Sequence, residues 1–219
     1  MRSWAFALRV ATGMIAAWLL GMLFVELGEE ISGTFLGVVE RELMALIAAN
    51  READDTMFML VLTFLGSAVV YIVIGGIVTA VLWGRGERLT AAMVVIVGVG
   101  AGLLAYGLKY AYDRPRPDIS PIVGSPLASF PSGHALASTA IYGFFAYLIA
   151  RRLRWYWRPL IWASYVALTL GISISRIYLG IHWPTDVIGG ILAGAVWLAA
   201  CMLAHDVLMR LGERRAEKE

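Results

Sequence analysis

The chain has 219 residues, 60% of them hydrophobic, with a mean hydropathy of +0.75; a soluble domain is nearer half apolar. A formal net charge of +2 is too small to mark a nucleic-acid partner. The one cysteine, Cys201, excludes an intrachain disulfide and, inside an apolar run, reads as a packing residue.

Arg2 and Arg9 lead into an apolar stretch from Val10 to Val25 that has the look of a signal peptide. No small-x-small cleavage site follows, because the next residues are Glu26, Leu27, Gly28, Glu29 and Glu30. The stretch reads as an uncleaved first span. Further apolar runs bring the expected spans to six, at 5–25, 57–83, 90–110, 134–150, 158–174 and 186–208. The expected fold is an all-α polytopic membrane protein, a bundle of six transmembrane helices, as a single domain over 1–219.

The connection between the first two spans, 26–56, is long and acidic. Between Ile31 and Ile47, the residues Phe35, Val38, Val39, Leu43, Leu46 and Ile47 recur at helical spacing. This predicts an interfacial helix, either a plain amphipathic connector or a lip that guides lipid.

Basic residues set the expected orientation. Twelve of the eighteen Lys and Arg fall at the N-terminus, at 85–88, at 151–158 and at 210–218. The other six are Arg41, Arg51, Lys109, Arg114, Arg116 and Arg176. Under the positive-inside rule the first set is cytoplasmic. Both termini then lie inside, and the second set faces out.

Ionisable groups near membrane depth invite a functional reading, and they cluster in three places on the outer side. The first is Lys109-Tyr110-Ala111-Tyr112-Asp113-Arg114-Pro115-Arg116-Pro117. Here a guanidinium can grip two phosphate oxygens and an ammonium adds a point charge; Arg114 taken alone reads as a headgroup contact. The second is Pro131-Ser132-Gly133-His134, before the fourth span. A helix starting there aims free N–H groups at an anion. Ser132 either caps that helix or donates to phosphate, and Gly133 permits close approach to the backbone. The third runs from Ser175-Arg176 to His182 and Asp186. The spacing of four puts His182 and Asp186 on one face if the turn is helical, where a carboxylate on one ring nitrogen frees the other to attack. Asp186 alone also suits a helix N-terminal charge.

These residues resemble the type 2 phosphatidic acid phosphatase superfamily. Its pattern is Lys, six residues, Arg-Pro; then Pro-Ser-Gly-His; then Ser-Arg, five residues, His, three residues, Asp. Lys109 to Arg116-Pro117, Pro131 to His134, and Ser175-Arg176 to His182 and Asp186 match it at every signature position. The resemblance implies a helical bundle and a lipid phosphatase that needs no metal or other cofactor. It implies His182 as a nucleophile forming a phosphohistidine, Asp186 as its orienting partner, and His134 as general acid and then base. Lys109, Arg116, Ser132, Gly133 and Arg176 would hold the phosphate. Bacterial members similar to this chain act in the inner membrane on undecaprenyl pyrophosphate, phosphatidylglycerol phosphate or phosphatidic acid, taken from the bilayer among other membrane lipids. Three alternatives fit parts of the pattern: a lipid phosphotransferase of the same fold, a non-catalytic lipid-binding or transport protein, and a metallohydrolase with His134, His182 and Asp186 as ligands.

Outside the motifs, Gly190 and Gly194 form a small-x-x-x-small pair that predicts close helix packing. His205 and Asp206, near the inner end, read as structural.

Overall fold

The computed structural model describes residues 2–30, 34–119, 121–122 and 127–216. Ile31, Lys218 and the side chains of Arg2, Trp4, Arg9, Phe35 and Arg215 lie outside the described residues. Within them the helices are α1 (Arg2–Glu30), α2 (Thr34–Ala49), α3 (Ala53–Leu65), α4 (Ala68–Gly84), α5 (Arg88–Tyr112), α6 (Gly133–Arg152), α7 (Arg158–Tyr178) and α8 (Pro184–Ala216), with a 3-10 turn at Trp155–Trp157. No described residue lies in a strand.

By length and apolarity α1, α5, α6, α7 and α8 can each cross a membrane, and α3 with α4 is long and apolar enough to make a sixth span if the bent pair crosses as one. The chain is thus an all-α integral membrane protein. A helix meets its backbone hydrogen bonds internally, as lipid demands.

The expected continuous span at 57–83 is corrected. It breaks between α3 and α4 with a bend of 45°. Sequence hydropathy runs unbroken through Gly66-Ser67, but Ser67 caps α4 by accepting from the Val70 N–H at 3.4 Å. The carbonyl of Leu65 takes the Tyr142 hydroxyl at 2.5 Å instead of a helical partner. Gly/Ser pairs are common kink points. Here the kink lets Gly66 sit against His134 and Ile172: a methyl group added to it would lie 2.9 Å from His134 Cδ2.

Helix α6 is the centre of the bundle, 72% buried along its span, and packs against α5, α7 and α8. Its small residues Ala135, Ser138, Thr139, Ala140 and Gly143 are all buried. The expectation for Gly190 and Gly194 holds. A methyl group on either would lie 2.6 Å from a backbone carbonyl of α6, that of Ser132 or of Leu136. Side chains at these positions would pry α8 from the start of α6. Cys201 is buried in the core.

At one end of the bundle Arg152 pairs with Glu87 and Arg151 with Asp206. There His205 bridges the Thr90 hydroxyl (3.1 Å) and the Tyr147 hydroxyl (3.0 Å), tying α5, α6 and α8 as a structural role requires. The three motifs meet at the opposite end, where Arg51 Nε also donates to the Tyr178 carbonyl at 2.8 Å.

The expected helix in the first connection is α2. Its Val38, Val39, Leu43 and Leu46 are exposed, while Met44 and Glu40 are buried against the bundle. An apolar stripe facing away from the protein is what a helix beside lipid would carry.

Candidate active site

The site is assembled from three chain turns stitched together by backbone contacts. Helix α5 ends at Asp113, a left-handed cap with φ 39°, before Pro115 and Pro117 prevent its continuation. The segment after it returns as a second strand of loop: Ser129 N–H donates to the Arg114 carbonyl at 2.8 Å, and Ser129 Oγ to the Pro115 carbonyl at 3.0 Å. Ser132 N–H donates to the Asp186 carbonyl at 2.8 Å. The N–H groups of Ile181 and His182 fold back onto the Arg176 carbonyl at 3.1 and 3.3 Å. All eight site residues named from sequence therefore gather at one end of the bundle.

His182 is 2% exposed and Asp186 fully buried. Nδ1 of His182 lies 3.3 Å from Asp186 Oδ2, and Nε2 lies 3.4 Å from Arg116 Nη1. A guanidinium only donates. Nε2 must therefore present its lone pair, and the ring proton sits on Nδ1, toward the carboxylate. Burial holds the His182 imidazole down at about 4, although Asp186 pulls the other way. The ring is thus neutral at physiological pH, with a free lone pair on the nitrogen that faces the cations.

Those cations converge. Arg116 donates to the carbonyls of Leu127 (2.7 Å), Ile181 (2.8 Å) and Ala128 (3.3 Å), which fixes its plane. Burial lowers its pKa from the ordinary arginine value. Lys109 Nζ is held by the carbonyls of Ala128 (2.5 Å) and Ser129 (3.3 Å). Arg176, 8% exposed, donates from Nη1 to Thr63 Oγ1 at 2.6 Å. Its buried Nε has no hydrogen-bond partner. An unpaired buried donor asks for an acceptor, and a phosphate oxygen would supply one.

His134 stands in the first turn of α6, within electrostatic reach of Arg176, His182, Lys109 and Arg116. Ser132 is fully buried and caps α6 by accepting from Ala135 N–H at 3.5 Å, so the capping reading describes its contacts here. Gly133 differs from the packing glycines of α8. A methyl group there would meet only Ala105 and Lys109 side chains at 3.9 Å. No protein neighbour demands a glycine, and the open space lies beside the cations.

Arg114 requires a correction. It is not a headgroup contact but the centre of a buried ion set. Nη1 donates to Asp186 Oδ1 at 2.6 Å and to Thr185 Oγ1 at 2.8 Å. Nη2 pairs with Glu40 Oε2 at 2.8 Å, and the group lies over the Trp183 ring. Glu40, from α2, accepts the Thr185 N–H (2.8 Å) and hydroxyl (2.6 Å). Asp186 Oδ2 meanwhile accepts the Trp183 N–H at 2.9 Å. The reading of Asp186 as a helix N-terminal charge therefore holds alongside its pairing with His182. Sequence reasoning missed Glu40, Thr185 and Gly66. Glu40 stood among eight acidic residues of its connection, with nothing local to single it out.

A cleft of about 910 Å³ opens from this site between α4, α5 and α6. Gly66, Tyr71, Gly133 and His134 line one end, and Trp83 and Gly84 the other. It follows the whole of α4, which at 1.5 Å per residue is roughly 25 Å, close to the hydrocarbon thickness of a bilayer. Among the described residues no three His, Cys, Asp or Glu side chains gather as a metal site would need.

The chain is similar to known proteins. It is 34% identical over 104 residues to phosphatidylglycerophosphatase B of Bacillus subtilis strain 168, an alignment covering 47% of this chain and 51% of that protein. The chain thus spans about half the length of that relative. It is 28% identical over 165 residues to an undecaprenyl-diphosphatase of Sulfolobus acidocaldarius, covering 72% of this chain and 74% of that one. Its fold matches the crystal structure of a transmembrane PAP2-type phosphatidylglycerolphosphate phosphatase from Bacillus subtilis with a TM-score of 0.81, at 24% identity, over 85% of this chain and 94% of the other. The PAP2 superfamily model matches residues 89–210, a stretch that contains all three motifs and more than half of the chain, and the chain belongs to that superfamily.

Proposed function

We propose that the protein is a metal-independent membrane phosphatase that removes phosphate from a lipid phosphate or pyrophosphate by way of a phosphohistidine on His182. The observation that carries this reading is the junction of two features. A neutral, carboxylate-oriented imidazole faces Arg116, and an apolar cleft leads from Gly133 and His134 beside it along α4. A phosphate at the cations and a lipid chain in the cleft fill both.

In this reading Lys109, Arg116 and Arg176 hold the phosphate oxygens, with the start of α6 at Ser132-Gly133 beside them. Charge that develops on those oxygens during transfer is met by fixed donors. His182 Nε2 attacks phosphorus as the bond to the leaving oxygen breaks. His134 gives that oxygen a proton, and then takes one from the water that cleaves the phosphohistidine. Asp186 keeps the His182 proton on Nδ1 throughout. The relatives' names point to undecaprenyl pyrophosphate and phosphatidylglycerol phosphate as substrates, and the superfamily resemblance adds phosphatidic acid. The basic-residue asymmetry supports an orientation with both termini in the cytoplasm and the site on the outer face of a bacterial inner membrane.

The test is phosphate release by purified protein from these three lipids, each beside a short-chain analogue with the same headgroup. Each buried methylene contributes about 0.8 kcal/mol, so kcat/KM should fall steeply as the chain shortens. Release from none of the lipids, or equal kcat/KM for long and short chains, overturns the reading.

A further inference from the structure

The ion set behind His182 has a chemical consequence that rests on the phosphohistidine reading. Asp186 has both oxygens engaged: Oδ2 by His182 and the Trp183 N–H, Oδ1 by Arg114 at 2.6 Å. An arginine acting alone on this carboxylate would compete with the histidine for its charge. In a site this buried that competition is strong. Glu40 stands on the other face of the same guanidinium, at 2.8 Å, with side-chain exposures of 11% for Arg114 and 5% for Glu40. Two carboxylates on one guanidinium leave the trio with one net negative charge, directed at His182 Nδ1.

We infer that Glu40 is a positioning residue for the nucleophile: through Arg114 it fixes the orientation of Asp186 and preserves its negative charge, so that docking of α2 is required for an active His182. The charge matters at one step. When Nε2 bonds to phosphorus while Nδ1 keeps its proton, the ring becomes cationic, and a negative trio stabilises it where a neutral trio would not. Thr185 closes the arrangement. Its hydroxyl accepts from Arg114 and donates to Glu40, which locks both groups to the first turn of α8. The face of α2 turned inward is therefore part of the catalytic support, while its exposed apolar face is free to meet lipid.

The experiment is a double-mutant cycle on the full-length protein in detergent. Glu40→Gln keeps the shape and an acceptor for Thr185 but removes the charge. It is measured alone and with Asp186→Asn, using the lipid phosphate that the wild type hydrolyses. Alone, Glu40→Gln should lower kcat on the order of 10–100-fold, the range seen when groups orienting a histidine ligand are removed, with KM unchanged within about twofold. In the Asp186→Asn background the same change should alter kcat by no more than about twofold, because the residue it acts through is gone. A loss of equal factor in both backgrounds assigns Glu40 a merely structural role and overturns the inference, as does an unchanged kcat. If Glu40→Gln does not fold, Arg114→Lys replaces it in the cycle, since a point charge cannot bridge two carboxylates as a planar fork does. Absence of wild-type activity on any lipid phosphate would instead defeat the phosphatase reading on which the inference stands.

Discussion

Gly66→Ala tests the role of His134 from a residue that carries no chemistry itself. The added methyl group would lie 2.9 Å from His134 Cδ2 and 2.5 Å from Ile172 Cγ2. Ordinary carbon contacts start near 3.5 Å. The imidazole must therefore retreat by about 0.6 Å and the isoleucine methyl by about 1 Å. Ile172 is fully buried, so part of the strain stays in the core at about 1–3 kcal/mol. A misplacement of about 1 Å in a reacting group can cost on the order of 100-fold, and we expect a 10–100-fold loss where proton donation limits the rate. That condition depends on the leaving group. Phosphatidic acid expels a strongly basic alkoxide. Undecaprenyl pyrophosphate expels a phosphate monoester with a second pKa of about 6, and para-nitrophenyl phosphate a weakly basic phenolate. The assay is single-turnover release of each leaving group, which isolates the first step from hydrolysis of the phosphoenzyme. Gly66→Ala should slow phosphatidic acid strongly and the other two only slightly. Equal losses on all three would refute the general-acid role and leave His134 as a phosphate-positioning group.

The pH profile follows from His182. Only its neutral form attacks, and burial depresses its pKa to about 4, so protonation of the nucleophile should remove kcat/KM only as pH falls through about 4. An acid limb near the ordinary histidine value of about 6.5 that disappears when Arg116 or Asp186 is changed would contradict this. Prolonged EDTA treatment should leave activity intact, whereas vanadate should inhibit as a mimic of the five-coordinate transition state; EDTA inactivation reversed by zinc would favour a metallohydrolase. For orientation, in a Cys201→Ala background a membrane-impermeant thiol probe applied to intact cells should label Asp118→Cys and spare Arg154→Cys, and the reverse pattern would put the site in the cytoplasm.

Much of the architecture was legible in the sequence because lipid imposes it. Long apolar runs can only be helices there, and the three motifs carry their own spacing. Local spacing also exposed the His182–Asp186 pair and the close packing at Gly190 and Gly194. What stayed hidden depends on contacts between distant segments. The break at Gly66-Ser67 lies inside an unbroken apolar run, and the Tyr142 hydroxyl that takes the Leu65 carbonyl there comes from another helix. Arg114 looks like any interfacial arginine until Glu40 arrives 74 positions away in sequence. Glu40 itself lies on a helix whose apolar stripe was readable, but the stripe marks the face turned away from the protein.

The central claim is that phosphate passes through His182. Purified protein should be mixed briefly with a lipid phosphate carrying radiolabelled phosphorus, quenched in base, and split into acid-treated and untreated samples. The account predicts label on the protein that survives base and is lost in acid, as a phosphoramidate is, and no label at all on His182→Ala. Label that persists through acid, or label retained by His182→Ala, would contradict it.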